Sequence, residues 1–205
     1  MEIIAPLQSI EYEVAPEGTQ AAICYGVILY GTVKTNFGDK KKIRLIFELH
    51  GDEKMKDGRL FTVSQDFIFS CNEKATLRQF IESWRGRKYT TPELRELGGL
   101  PISKLIGQPA LLSVSHTPYD ESVWVNIASI MKLPKGMAVP TQVNENLIYN
   151  VDAHDESAFQ KLSKRLQERI HGTKEWKIRT GQMIDPAQAV PSTNIPSDFD
   201  DAIPF

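Results

Sequence analysis

The chain has 205 residues, with 24 Lys and Arg against 26 Asp and Glu, and 41% of its residues are hydrophobic. This composition is typical of one soluble globular domain with some additional chain. It excludes a disulfide scaffold, because Cys24 and Cys71 lie 47 positions apart without a metal-ligand spacing. No apolar run approaches the roughly 18 residues of a membrane span, and Glu2 stands where a signal peptide has basic residues. We therefore expect a cytoplasmic protein without a membrane partner.

The near-neutral total charge is unevenly distributed. Residues 1–20, an acidic N-terminal arm, hold four acidic residues and no basic one, and residues 183–205 do the same. The part between them carries all 24 basic residues against 18 acidic ones, a net charge of +6. This distribution predicts a body that binds an anion, although segregation of this size also arises by chance.

Residues 20–50 predict two paired strands. The segment from Gln20 to Thr35 is rich in Ile, Val and Tyr, and Gly26 and Gly31 within it indicate bulges. The next segment alternates between apolar and polar residues and has a basic outer face. Its residues expected to face the core are Ile43, Leu45, Phe47 and Leu49.

The period of the pattern changes after a third strand, which we expect from about Leu60 to Ser70. Asn72 is the expected N-cap of a helix whose apolar residues recur at helical spacing and which ends near Gly86. Two further strands are predicted at 110–116 and 122–131.

Three strands, a helix and two strands are the element order of the OB-fold, a five-stranded Greek-key barrel with its helix between strands 3 and 4. Residues 21–137 are therefore predicted to form a mainly β OB-fold domain. An SH3-like barrel would lack the long helix, and a ferredoxin-like unit would need a helix after its first strand. Residues 138–182 are predicted to be a C-terminal extension with one helix at about 155–171, and residues 183–205 a disordered linker with an acidic tip.

The chain ends in Asp198, Phe199, Asp200, Asp201, Ala202, Ile203, Pro204 and Phe205. A terminal aromatic ring beside its own carboxylate suits an apolar pocket rimmed by Arg or Lys, and the aspartates add long-range attraction. This segment resembles the C-terminal tip of bacterial single-stranded DNA-binding proteins. The resemblance implies that the tip binds replication, repair or recombination proteins. Ala202 stands where many members of that family have a further Asp, which leaves only the affinity open.

Several short motifs also occur along residues 3–140. They are Ile-Ile-Ala-Pro at the start, Pro-Glu-Gly at 16–18, Thr-Leu-Arg at 76–78, Glu-Ser-Trp-Arg-Gly-Arg at 82–87 and Leu-Pro-Lys-Gly at 133–136. Together they are similar to a phage-encoded family of replication-associated or single-stranded DNA-binding proteins. The similarity implies a role in phage DNA replication or recombination in the host cytoplasm.

Binding a single strand without reading its sequence requires exposed aromatic faces for bases and basic side chains for phosphates. Trp124 is expected to point away from the apolar face of its strand, and the alternative is that the C-terminal segment covers it. The stacking candidates are Trp124, Tyr30, Phe37 and Tyr89. The phosphate candidates are Lys34, Lys40, Lys41, Lys42, Arg44, Lys54, Lys56, Arg59, Arg85, Arg87 and Lys88. The alternative for the last three is a basic helix terminus favoured by the helix dipole. The aromatic residues of the third strand, Phe61, Phe67 and Phe69, are expected in the core.

No motif predicts a catalytic residue, a metal site or a cofactor, since paired carboxylates, glycine-rich phosphate loops and Cys-His pairs are missing from the sequence pattern. The leading hypothesis is a non-enzymatic single-stranded DNA-binding protein. The alternatives are a phage replication initiator that recognises an origin and an OB-fold adaptor that binds protein. A homo-oligomer is possible, since the helix at 155–171 could pack on its own barrel or on a second copy.

Overall fold

The computed structural model describes residues 13–120 and 122–183. Its elements in chain order are β1 (Gly18–Thr35), β2 (Gly38–Leu49), β3 (Thr62–Ile68), α1 (Thr76–Arg85), α2 (Thr91–Glu96), β4 (Pro109–Tyr119), β5 (Ser122–Met131), β6 (Leu147–Asn150), α3 (Glu156–Gln160), α4 (Lys164–His171) and α5 (Lys174–Arg179). Among these described helices, none has both the length and the apolar character needed to cross a membrane.

The six strands form one sheet, which confirms the prediction of a mainly β fold. Five strands are antiparallel neighbours in the order β3-β2-β1-β4-β5. The sixth, β6, pairs in parallel with the second half of β1. The two end strands, β3 and β5, lie close together in space, and α1 packs against both.

The first strand, β1, changes its partner along its length. Residues 18–23 pair with β4, whereas Gly26 to Leu29 pair with β6. The pairing with β2 shifts register between Cys24 and Gly26 and again between Leu29 and Gly31, which confirms the predicted bulges. A Cβ at Gly26 would lie 2.8 Å from the Cβ of Ile46, and Gly31 has a φ of 113°. Both positions therefore require glycine.

The main core lies between the sheet and α1. The four residues of β2 predicted to face inward are each at most 1% exposed, so the alternation was a correct guide. Leu77, Ile81 and Trp84 of α1 pack into the same cluster, and the ring centroids of Phe47 and Trp84 are 5.4 Å apart. Phe61 and Phe67 also belong to this core, as predicted.

The predicted start of α1 is wrong by three to four residues. The helix begins at Thr76, and its N-cap residue is Ala75. The side chain of Asn72 accepts a hydrogen bond from the backbone N–H of Lys74 at 3.0 Å, so it closes a separate turn before the helix. The predicted end is correct, because Gly86 has the left-handed conformation, with a φ of 75°.

The C-terminal extension contains more structure than predicted, since β6 and α5 were not expected. The single helix predicted at 155–171 is also wrong, because two helices, α3 and α4, occupy this segment. The side chain of Gln167 donates to the carbonyl oxygens of Phe159 and Leu162, at 3.1 and 3.0 Å. The Gln167 side chain therefore satisfies the carbonyl groups of Phe159 and Leu162, so α3 can end here without leaving them unpaired.

The extension covers the outer face of β1 and β2 with a second apolar cluster. Phe159, Leu162, Leu166 and Ile170, predicted as one stripe, are all buried there against Ile28 and Tyr30 of β1. Burying one such apolar side chain contributes about 1.5–3 kcal/mol. The extension is therefore an integral part of the fold, and its helices pack on their own sheet.

Glu48 fixes the chain that leads into the extension. The sequence predicts this residue on the outer face of β2, yet its side chain is fully buried. The carboxylate accepts hydrogen bonds from the backbone N–H groups of Val143 (2.9 Å) and Asn144 (2.7 Å) and from the Asn144 side-chain amide (2.7 Å). His50 Nε2 lies 2.8 Å away. Burial raises the pKa of Glu48, but these hydrogen bonds outweigh it and hold the pKa below its ordinary value.

The described part of the predicted N-terminal arm packs on the body. Residues 18–20 belong to β1, and Ala15 is buried. The carboxylates of Glu13 and Glu17 accept hydrogen bonds from the backbone N–H groups of Lys56 (2.7 Å) and His116 (2.6 Å). The acidic residues here thus satisfy backbone donors. Residues 1–12 lie outside the described residues.

We predict that Glu48→Gln lowers the free energy of unfolding by about 1–3 kcal/mol near neutral pH, because an amide NH₂ would replace an acceptor opposite buried donors. A carboxylate with a lowered folded pKa stabilises the fold above its unfolded pKa of about 4.3, and this contribution is lost as the pH falls through the folded pKa. Urea unfolding should therefore show a difference between the two proteins that narrows under acidic conditions. Glu53→Gln, at an exposed glutamate on the next loop, is the control. An equal effect of both substitutions would contradict the role of Glu48.

Candidate nucleic-acid interface

The structure does not bring the predicted phosphate-binding residues into one groove. Lys41 pairs with Thr32 near the β1–β2 turn, whereas Leu49 pairs with Ala22 beside the β2–β3 loop. Eight residues of strand separate these positions by about 26 Å at 3.3 Å per residue. The β1–β2 turn and the β2–β3 loop are therefore separate candidate regions, and the predicted residues at the end of α1 form a third set.

The first region, which we name the hairpin end, comprises Lys34, Phe37, Lys40, Lys42, Ile68 and Phe69. Phe37 lies at the turn between β1 and β2, and 88% of its side chain is exposed. Its backbone N–H donates to the Thr35 hydroxyl at 3.2 Å, and that hydroxyl donates to the Gly38 carbonyl at 2.7 Å. These hydrogen bonds fix the turn, and the Phe37 ring is exposed to solvent.

Three lysines of the hairpin end carry charges that the described fold does not neutralise. Within residues 13–120 and 122–183, no carboxylate lies within 4.0 Å of the ammonium groups of Lys34, Lys40 or Lys42. Lys42 pairs across the strands with Ile68. Unpaired lysines beside an exposed ring provide both contacts that a single strand requires.

Phe69 is a member of this region that the sequence pattern assigned wrongly to the core. Its side chain is 42% exposed, and its backbone N–H donates to the carbonyl of Lys41 at 2.8 Å. Because β3 ends at Ile68, the inward alternation of this strand does not continue to Phe69. No sequence signal indicated this, since the strand was expected to continue to about Ser70.

The stacking predictions for Tyr30 and Tyr89 are wrong, because both side chains are buried. Tyr30 is 0% exposed in the second apolar cluster, with the guanidinium carbon of Arg169 5.2 Å from its ring centroid. Burial and the charge of Asp66 raise the pKa of Tyr30 to about 12. Tyr89 is 8% exposed, and Arg85 covers its ring at 3.8 Å. Neither ring offers a face to a base.

Lys41 and Arg44, predicted to bind phosphate, instead make ion pairs within the fold. Lys41 Nζ lies 2.6 and 2.7 Å from the two carboxylate oxygens of Asp152 and 3.6 Å from Glu175. Arg44 forms two hydrogen bonds to Asp66, at 2.6 and 2.9 Å. Asp66 is partly buried, which raises its pKa, but the arginines beside it lower that pKa overall. Both cations thus contribute to the structure around the extension, so the prediction for them is corrected.

The second region is the β2–β3 loop, where Lys54, Lys56 and Arg59 are exposed. Arg59 pairs with Asp57 at 2.6 Å, and the arginine side chain is 74% exposed. An exposed pair of this kind contributes only about 0–1 kcal/mol, so a phosphate can displace Asp57. Phosphate binding by this loop stays a prediction.

Trp124 lies in the hairpin formed by β4 and β5, and its side chain is 55% exposed. Ile127 of the same strand is buried in the main core. The β4–β5 hairpin extends beyond the start of β1, because Gly18 pairs with Val114 and β4 continues to Tyr119. Trp124 and Phe37 therefore lie at opposite ends of β1, and stacking by Trp124 stays a prediction.

The third region, at the end of α1, opens into a groove of about 760 Å³ that we name the basic groove. Arg85 and Arg87 line it, as do three cations not predicted as site residues, Lys104, Lys132 and Lys135. Part of the signal was the Leu-Pro-Lys-Gly motif, which supplies Lys135. Lys88 lies apart from this groove, in a depression that it shares with Glu73 and Glu82.

Two further observations concern metal binding and the reactivity of a thiol. Within the described part of the chain, no cluster of three or more His, Cys, Asp or Glu side chains could hold a metal ion. Burial raises the pKa of the Cys24 thiol to about 12, so this thiol is not a reactive thiolate.

The chain matches no protein-family model, and the search of curated proteins finds no similar sequence. Its function is therefore inferred from its own residues. The predicted tip, from Asp198 to Phe205, lies outside the described residues, so its role stays a prediction.

Proposed function

We propose that this chain binds single-stranded DNA without reading its base sequence and catalyses no reaction. The strand order β3-β2-β1-β4-β5, with α1 between β3 and β4, supports an OB-fold. The close approach of β3 and β5 supports it further, since these are the strands that would close the barrel. We assign β6 and α3 to α5 as additions to that fold.

The observation that carries the proposal is the composition of the hairpin end. The exposed ring of Phe37 lies between Lys34 and Lys40 in the sequence, and Phe69, 42% exposed, adds a second ring at the end of β3, where its backbone N–H donates to the Lys41 carbonyl. One base stacked on an aromatic ring contributes about 1–3 kcal/mol. A phenylalanine ring has no hydrogen-bonding group with which to distinguish base edges, so it accepts any base.

The same composition favours a single strand over a duplex. Bases of a duplex are already stacked on one another, whereas those of a single strand can stack on protein rings. A replication initiator that reads an origin would need side chains that form paired hydrogen bonds with base edges. Phe37 and Phe69 offer faces for stacking, which leaves the initiator as the less favoured candidate.

The sequence resemblances supply the biological setting of the proposal. We assign the protein to phage DNA replication, recombination or repair in the host cytoplasm, where it coats single strands. In this proposal the tip, Asp198 to Phe205, recruits partner proteins. The body and the tip then have separate ligands, which can be tested separately.

We predict that Phe37→Ala weakens the binding of an oligo-dT strand about 5- to 150-fold, which corresponds to the loss of one stacked base. Fluorescence anisotropy measures the affinity. Phe37→Tyr keeps a stacking face and should bind almost as the unmodified protein does, whereas Phe37→Leu should resemble the alanine variant. Val143→Ala, at an exposed apolar residue of the extension, controls for the loss of surface area. Unchanged affinity in Phe37→Ala would remove the hairpin end as the DNA site.

We predict that deletion of residues 198–205 abolishes partner recruitment and leaves oligo-dT affinity equal or higher, because three aspartates are removed from an anion-binding protein. Affinity capture of host replication proteins with the full and shortened chains measures recruitment, and anisotropy measures DNA binding. Phe205→Ala is the matched point variant, since it removes the terminal ring and keeps the acidic charge. A collapse of DNA binding in the shortened chain would contradict the assignment of the tip.

A further inference from the structure

The basic groove lies between three segments that hydrogen bonds hold together. The indole Nε1–H of Trp84 donates to the carbonyl of Pro109 at 2.9 Å, which joins α1 to the start of β4. The hydroxyl of Ser83 donates to the carbonyl of Ile130 at 2.9 Å, which joins α1 to β5 just before the segment 132–139. The groove is thus a preformed feature with fixed walls.

The charge of the groove has one sign. Its five cations come from the end of α1, the segment before β4 and the segment after β5, and no carboxylate belongs to the described residues that line it. Glu93 does not line the groove, but it pairs with Arg85 at 2.5 Å and with Arg87 at 3.3 Å and offsets part of their charge. Within the described residues, no carboxylate lies within 4.0 Å of the ammonium groups of Lys104, Lys132 or Lys135, so these lysines supply most of the charge that a ligand meets. The groove therefore attracts a ligand that carries several negative charges.

The rest of the described lining is apolar apart from Gln108, and its two aromatic side chains, Trp84 and Tyr89, offer no exposed ring face. Trp84 is only 5% exposed, and the face of Tyr89 is covered by Arg85. Met137 and Val139, also in the lining, are 46% and 65% exposed. Neither of these two aromatic rings can stack on a nucleobase, whereas Phe37 and Phe69 at the hairpin end are exposed. An aliphatic or aromatic side chain can pack against this surface while carboxylates meet the lysines.

We infer that the basic groove is a docking site for a protein partner, which it binds through an acidic segment with apolar anchor residues. Charge complementarity selects acidic residues, and the exposed apolar lining selects an apolar anchor. This site is separate from the proposed DNA surface. Trp84 of the groove packs on Phe47, which lies nine strand residues, about 30 Å at 3.3 Å per residue, from Gly38 at the β1–β2 turn. The proposed function does not depend on it.

The test uses the full chain and three short fluorescent peptides. The first alternates Asp with Leu, the second replaces Leu by Ser, and the third replaces Asp by Lys. We expect the first to bind at least about tenfold more tightly than the other two, since only it carries both features. If the Asp-Ser peptide bound equally tightly, the groove would recognise negative charge alone, and the inference would be overturned.

The variant Lys104→Glu/Lys132→Glu places two negative charges in the groove and should weaken the first peptide about tenfold or more. Lys164→Glu, at an exposed lysine of α4, is the matched control and should bind as the unmodified protein does. Val139→Asp is a second variant that removes an apolar contact without touching a lysine, and it should weaken the same peptide. Unchanged binding in the groove variants would overturn the inference.

Oligo-dT affinity, measured on the same variants, separates this site from the proposed function. We expect it to change much less than the peptide affinity in the double variant. If the double variant loses oligo-dT and the two ligands compete, the groove is a DNA site and the inference fails. If deletion of residues 198–205 raises the peptide affinity about tenfold or more, the chain's own tip is the occupant, and the partner assignment fails.

Discussion

The fold depends on the burial of both faces of β1. One face packs with α1 in the main core, and the other is covered by the extension in the second apolar cluster. The bulge at Gly26 admits the side chain of Ile46, and the carboxylate of Glu48 fixes the chain that leads to β6. Because this outer surface is occupied, the central part of the hairpin is closed to ligands. Exposed aromatic and basic groups remain at its end, in the β2–β3 loop, at Trp124 and around α1.

The same arrangement decides which positive charges are available. Lys41 and Arg44 form ion pairs with Asp152 and Asp66 at the edge of the extension, so two of the body's 24 basic residues are engaged within the fold. Two of the surfaces that keep accessible positive charges differ in their chemistry. The hairpin end combines lysines with exposed rings, whereas the basic groove combines cations with an apolar lining whose rings are buried. This contrast is the physical reason for assigning nucleic acid to one surface and a peptide to the other.

Local patterns predicted much of the sheet and little of what covers it. The alternation of apolar and polar residues identified the inward side chains of β2, and Gly26 and Gly31 marked the bulges. Both features depend on neighbouring residues in the sequence, so a local pattern is enough to predict them. The burial of Tyr30 could not be predicted, since alternation indicates a face without showing that a segment over a hundred residues later packs on it. The short strand β6 has no periodicity long enough to recognise, and the burial of Glu48 was not predicted because its partners lie far along the chain. The basic groove likewise joins three segments distant in sequence.

The most direct test of the central claim compares the affinity of the full chain for oligo-dT with its affinity for a duplex of the same length, at low and at moderate salt. We predict clear preference for the single strand. We also predict that log affinity falls with log salt at a slope of about −0.7 per phosphate contact. Equal affinity for the two forms, or preference for the duplex, would contradict the account.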